Sequence, residues 1–134
     1  PGMGVLDITT EPQGHRTIDE LVTVPLVEGL TQALSGFENH GGGTVLGPDA
    51  APLGRVVSGV GNGTPQGRQP ADVAYDGAVQ GSIIATYMHG PALARNPELA
   101  DLLLTRATGM ALEPLEVPGV AELRAQRLSG VQLP

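Results

Sequence analysis

Ser82-Ile83-Ile84-Ala85-Thr86-Tyr87-Met88 leads into His89-Gly90-Pro91 and then into Asn96-Pro97-Glu98-Leu99-Ala100-Asp101. The first of these segments is a near-continuous apolar run, the pattern of a strand buried on both faces. Asn96 has the chemistry of a helix N-cap, and Pro97 falls at the first helical position, where a missing N–H costs nothing. Leu99, Leu102 and Leu103 lie on one helical face, continued by Ala107. Glu98 sits near the positive helix end, Arg106 near the negative one, and Gly109 supplies the stop. A buried strand feeding a helix is the building unit of an α/β fold.

Upstream of this junction, strand signals dominate. Val5 to Thr9 reads as a short strand and Gln13-Gly14-His15 as a turn. Thr17 to Val27 is rich in β-branched residues, with Pro25 marking an irregular edge or end. Residues 29–36 read as a loop or a weak helical turn. Ser35 to His40 predicts a strand that stops at Gly41-Gly42-Gly43. Thr44 to Leu46 is short, and Gly47-Pro48-Asp49 is a turn. Gly54 to Val60 predicts a strand, residues 61–72 a loop poor in apolar side chains, and Val73 to Val79 one arm of a hairpin. Downstream, a second helix is expected from about Gly119 to Leu128, closed by Ser129-Gly130. Strands come first and helices last, which is lopsided for a complete doubly wound domain. The pattern fits the back half of an α/β fold with an antiparallel extension.

The chain has 134 residues, 40% of them apolar, enough for one domain with one core. Phe37, Tyr75 and Tyr87 are the only aromatics, so the core must be aliphatic. Seven arginines face 14 acidic residues, a net charge of -7. That balance argues against non-specific nucleic-acid binding, which needs clustered cations. No apolar run approaches the ~20 residues of a membrane span, so no membrane insertion is expected. With no cysteine there is neither a disulfide framework nor a thiolate metal site. A cytoplasmic location is the default expectation. The chain opens on Pro1-Gly2-Met3-Gly4-Val5-Leu6-Asp7, with a strand-like stretch almost at once, and reads as an internal cut.

His89 is the leading chemical candidate. It lies just past an apolar strand, where sites form at the carboxyl ends of open α/β sheets. A histidine there suits a general base, and a capping histidine fits the position equally well. Gly36-Phe37-Glu38-Asn39-His40-Gly41-Gly42 is the second cluster. Glu38 and His40 are two apart and share one face of a strand, which permits an ion pair. No third ligand stands at a convincing spacing, so no metal is expected. Arg16 has the fork geometry to hold a carboxylate, although a solvated arginine is the simpler reading of its position. Gly59-Val60-Gly61-Asn62-Gly63 lacks the Lys-Ser/Thr ending and the following helix of a nucleotide-binding loop.

Taken in order, these segments carry a resemblance. Gly2-Met3-Gly4-Val5-Leu6-Asp7, Gly36 to Thr44, Pro52-Leu53-Gly54 with Gly59 to Asn62, and Thr86 to Pro91 with Arg95 to Asp101 form the series. It resembles the cobyric-acid-synthase-like class I glutamine amidotransferases. Within that branch it is most similar to the glutaminase subunits of lipid II isoglutaminyl synthases. The resemblance implies the C-terminal part of a flavodoxin-like three-layer α/β fold with an antiparallel β extension. It also implies glutamine hydrolysis through a cysteine thioester, with ammonia passed to a Mur-ligase-like ATP-dependent partner subunit. That partner amidates D-glutamate of lipid II to D-isoglutamine in peptidoglycan biosynthesis. His89 matches the family's catalytic histidine and Arg16 an arginine that positions glutamine. Glu38, Asn39 and His40 match a signature near the site. No cofactor is implied.

Two departures matter. The nucleophilic cysteine is expected upstream of Gly2, so residues 1–134 are expected to form a partial domain that is inactive alone. Many class I members place a glutamate two residues after the histidine; here that position is Pro91, which leaves a Cys–His dyad. A smaller difference is Gly43, where relatives often carry Arg. Two other readings compete: the glutaminase part of a cobyric acid synthase or related cobalamin-pathway enzyme, and a non-catalytic module that docks a partner.

Overall fold

A computed structural model describes residues 2–113 and 115–133. Pro1, at the expected internal cut, lies outside them. Seven strands precede three helices among the described residues: β1 Ile8–Pro25, β2 Leu34–Leu46, β3 Gly54–Ser58, β4 Tyr75–Asp76, β5 Ala78–Gln80, β6 Ile83–Ala85, β7 Met88–His89, α1 Ala92–Arg95, α2 Pro97–Thr108 and α3 Val120–Leu128. Five strands form one sheet in the order β4-β3-β1-β2-β7, and β5 pairs with β6 alone. Every named pairing among these residues is antiparallel. The chain is therefore mixed α/β with antiparallel sheets, strands first and helices last.

The sheet is organised by one long hairpin. β1 pairs with β2 along both their lengths, with a register shift between Pro12 and Thr17. Residues 13–16 lie opposite Gly41 alone, so Gln13-Gly14-His15 is a bulge inside a strand and not the expected turn. Gly14 takes φ 85°, and the Gln13 side chain turns inward to donate to Thr17 Oγ1 at 2.8 Å. The glycine run does not end β2; it lies in its interior. At Gly43 the backbone of Thr64 and Pro65 packs where a Cβ would stand. A side chain such as Arg has no room there unless that loop moves, which accounts physically for glycine at this position.

The first expected strand starts later, at Ile8. Residues 4–7 bend, and Asp7 ties them to the Gly47–Asp49 turn, accepting from Gly47 N at its carbonyl and from Asp49 N at its carboxylate (2.8 and 3.0 Å). The apolar run 82–88 is not one strand buried on both faces. It divides into β6 and β7, which belong to different sheets, and only Met88 of this run is fully buried. Val73 to Val79 likewise divides into β4 and β5, with Gly77 at φ 75° between them. Apolar composition cannot distinguish one long buried strand from two short half-buried ones.

The core gathers Leu21 from β1, Leu30 from the β1–β2 loop, Leu34 from β2, Leu53 ahead of β3, Met88 from β7 and Leu99 from α2. Leu102 and Leu103 pack against it, as the helical spacing requires. Gly36 lies under the Met88 side chain and admits no Cβ. α2 starts and stops as expected, with Gly109 in the left-handed conformation at its C-cap. Two details differ. Asn96 does not cap with its side chain; its Oδ1 accepts from Ser35 N and its Nδ2 donates to Ser35 O, both at 2.8 Å, stapling the helix start to β2. Glu98 serves less as a dipole partner than as a clamp. Its carboxylate accepts from Thr31 N, Gln32 N and the Thr31 hydroxyl at 2.7–2.8 Å. Burial alone would raise the Glu98 carboxyl, but these bonds and the Arg124 charge hold it below its ordinary range.

Candidate active site

His89 stands on an edge strand of an antiparallel sheet, not beyond the carboxyl end of a parallel one. β7 pairs with β2 at two positions, Phe37 with His89 and Glu38 with Met88. Directly opposed residues of an antiparallel pair point to the same face, and neighbours along a strand alternate. His89 therefore shares a face with Phe37 and Asn39, while Met88 shares the opposite face with Glu38 and His40. This alternation divides the 36–43 block. His89 is exposed and Asn39 half-buried, whereas Glu38 is wholly buried and His40 nearly so.

Arg16 joins the exposed side. It leaves the bulge of β1, and its Nε donates to Asn39 Oδ1 at 2.7 Å. The carbonyl oxygen of Asn39 fixes one edge of the guanidinium and leaves the terminal nitrogens able to meet a carboxylate. Glu20 stands in the same cross-strand row, opposite Phe37. Its carboxylate pairs with Arg95 and, at 3.6 Å, with Arg127. Sequence reading missed this cluster because its members come from β1, α1 and α3. No local spacing announces it.

Beneath the sheet, Glu38 is a structural anchor. Its Oε1 accepts from Val60 N at 2.7 Å and its Oε2 from Gly61 N at 2.9 Å, which holds the loop that follows β3. His40 Nε2 lies 3.3 Å from Glu38 Oε2, so the shared face brings the two side chains into hydrogen-bond contact. His40 Nδ1 lies 2.9 Å from the Gly42 carbonyl. Both ring nitrogens thus face acceptor oxygens. The His40 ring stacks on Tyr87 with centroids 3.9 Å apart. The Tyr87 hydroxyl meets Thr44 Oγ1 at 2.7 Å, linking β2 to the segment before His89. The Glu38–His40 pair thus braces the site from behind instead of lining it.

Asp76 completes this layer. Its Oδ2 accepts from the Thr86 hydroxyl at 2.5 Å and its Oδ1 from Tyr87 N at 3.1 Å. Burial pushes its carboxyl above the ordinary range; the Thr86 and Tyr87 bonds oppose that rise, and the nearby Glu38 charge adds to it. Asn62 also acts as a bracket, donating to Gly77 O at 3.0 Å and accepting from Gly77 N at 2.8 Å.

No group of three or more metal-ligating side chains occurs among the described residues. A cleft of about 820 Å³ among the described residues is lined by residues including Gln13, Val60, Asn62, Arg68 and Tyr75. His89 and Arg16 are not part of its wall. The exposed face instead presents an accessible imidazole, a guanidinium held by an amide and the apolar ring of Phe37. Such a face can move a proton and hold an anionic group, and it has no nucleophile of its own.

Residues 1–97 match the model of the CobB/CobQ-like glutamine amidotransferase domain. The chain is 34% identical over 130 residues to a protein of Staphylococcus aureus strain N315 named lipid II isoglutaminyl synthase (glutamine-hydrolyzing) subunit GatD. That match covers 95% of this chain and 49% of the relative. A Streptococcus pneumoniae protein of the same name is 32% identical over 103 residues, covering 76% of this chain and 37% of the relative. A cobyric acid synthase of Sphingopyxis alaskensis is 32% identical over 105 residues, covering 78% and 18%. The chain spans half or less of the length of these relatives. It belongs to the CobB/CobQ-like glutamine amidotransferase domain family.

Proposed function

We propose that this chain is the histidine-bearing part of a glutaminase subunit that supplies ammonia for lipid II amidation. The observation that carries the reading is the 34% identity to the Staphylococcus subunit across 95% of this chain. The geometry supports it through the accessible imidazole of His89 on the same face as Phe37 and Asn39, with Arg16 held by Asn39.

In this reading the thiol comes from a cysteine outside these 134 residues, which contain none. The antiparallel sheet extends a flavodoxin-like three-layer core that carries that cysteine. His89 takes the thiol proton, and the thiolate adds to the amide carbon of glutamine. The imidazolium then protonates the departing nitrogen, the C–N bond breaks, and ammonia leaves a thioester. His89 next deprotonates water, which attacks the thioester and releases glutamate and the thiol. Arg16 holds the α-carboxylate of glutamine. Pro91, fixed and without a side-chain acceptor, leaves the pair as a dyad. Ammonia passes to a Mur-ligase-like ATP-dependent partner in the cytoplasm, and that partner amidates the activated D-glutamate carboxyl of lipid II. No helix among the described residues is long and apolar enough to cross a membrane.

The identity to cobyric acid synthases favours a second reading, in which the ammonia amidates a corrin carboxylate. One experiment separates the two. The protein is produced from its complete coding sequence with the ligase-like subunit that copurifies with it. It is then given glutamine and ATP with lipid II or, in a parallel reaction, with a corrin carboxylic acid, and both acceptors are examined by mass spectrometry. Glutamine-dependent amidation of the D-glutamate residue is expected. Turnover of glutamine with unmodified lipid II and an amidated corrin acid would replace the first reading with the second.

A further inference from the structure

Asp76 is a buried carboxyl group to which the glutamine reaction gives no role. We propose that Asp76, acting through Thr86, is the positioning residue for His89. Its two oxygens hold the turn from which the imidazole projects. The inference rests on the reading of His89 as the general base.

β7 is two residues long, and its ladder to β2 is too short to fix a side chain by itself. The segment ahead of it is held by other means. The Thr86 hydroxyl donates to Asp76 Oδ2 at 2.5 Å, and its oxygen accepts from Met88 N at 3.0 Å. Tyr87 N donates to Asp76 Oδ1 at 3.1 Å. One carboxyl group thus fixes residues 86, 87 and 88 in succession, and His89 is the next residue. Asp76 is itself placed by β4, opposite Gly54, with its carbonyl accepting from Leu53 N at 3.0 Å. A continuous path therefore runs from β3 through Asp76 and Thr86 to the backbone of Met88. Asp76 lies on the buried side of the sheet and has no contact with the reacting groups.

The role is geometric, and the local chemistry shows why. Two hydrogen-bond contacts are needed at Asp76, one to the Thr86 oxygen and one from Tyr87 N–H. An asparagine meets both. Its Oδ1 accepts from Tyr87 N, and its Nδ2 donates to the Thr86 oxygen, whose own proton is then free to turn elsewhere. Burial and the nearby Glu38 charge already press this carboxyl toward its neutral form, which an amide mimics. A displacement of the base by 1 Å is enough to cost about 100-fold in turnover.

The test uses the protein from its complete coding sequence with its natural partner, assayed for glutamate release from glutamine. Thr86→Val keeps the shape and removes both hydroxyl contacts, while Thr86→Ser keeps them. Asp76→Ala removes the carboxyl, while Asp76→Asn keeps its contacts. Thr86→Val and Asp76→Ala are expected to lower kcat by about 100-fold with KM nearly unchanged, and Thr86→Ser and Asp76→Asn to stay near wild type. Thermal midpoints are measured on all four. The inference is overturned by wild-type kcat in Thr86→Val and Asp76→Ala. It is equally overturned if Asp76→Asn is as impaired as Asp76→Ala, since charge and not position would then matter, or if kcat falls only in step with the thermal midpoint. His89→Ala is run alongside. Hydrolysis that survives it removes the base assignment itself, a failure distinct from that of the Asp76 variants.

Discussion

Glu38 and His89 were both legible as residues of interest, and strand alternation separates their roles. Two residues of the same motif block, Glu38 and Asn39, point to opposite faces, so one braces and the other faces the site. The Glu38 carboxylate takes two backbone N–H groups and faces His40. Glu38→Ala orphans all three, and breaking such a buried charge-assisted group costs about 3 kcal/mol. Urea unfolding should show a midpoint shift of that size, with a smaller one for Glu38→Gln, whose single amide oxygen keeps one backbone partner. A midpoint unchanged in Glu38→Ala would contradict the bracing role. Asp76 was not legible, because its partners sit ten and eleven residues downstream across a turn. Nothing in the local spelling of Asp76-Gly77 marks it as different from a surface turn.

At the scale of elements, helices were easier to read than strands. Pro97 and Gly109 carry their own boundary chemistry, and α2 begins and ends where those residues place it. Strand limits depend on what lies alongside. Residues 13–16 become a bulge only because β2 runs opposite on both sides of them, and Gly41-Gly42-Gly43 stays inside β2 because β1 pairs across it. The run 82–88 divides because Asp76 captures Thr86 and Tyr87 between two sheets. Gly43 tests how firmly the 61–72 loop is seated. Thr44 N donates to Asn62 O and Gln66 N to Pro12 O, at 2.8 and 2.9 Å, so the loop cannot withdraw without breaking these bonds. Gly43→Ala drives a Cβ into the backbone of Thr64 and Pro65. A loss of about 1–3 kcal/mol is expected. Amide hydrogen exchange should quicken at Thr44 and Gln66 while β1–β2 positions 18–22 keep their protection. Unchanged exchange at both amides would show that the loop is not pinned there.

For the whole molecule, the order of strands before helices was readable from composition and spacing, and the structure keeps it. The pairing was not readable, because antiparallel register is fixed by partners distant in sequence. The exposed face carrying His89, Phe37, Asn39 and Arg16 emerges only from that register. In the proposed reading it is half a reaction centre: a base and an anion holder, with the nucleophile supplied from elsewhere. The central claim is that His89 is the base of glutamine hydrolysis. The most direct measurement is glutamate release from glutamine by the protein made from its complete coding sequence, wild type against His89→Ala. Loss of turnover by a factor of about 100 or more, with the fold intact by circular dichroism, is the predicted result. Turnover unaffected by His89→Ala would contradict the account.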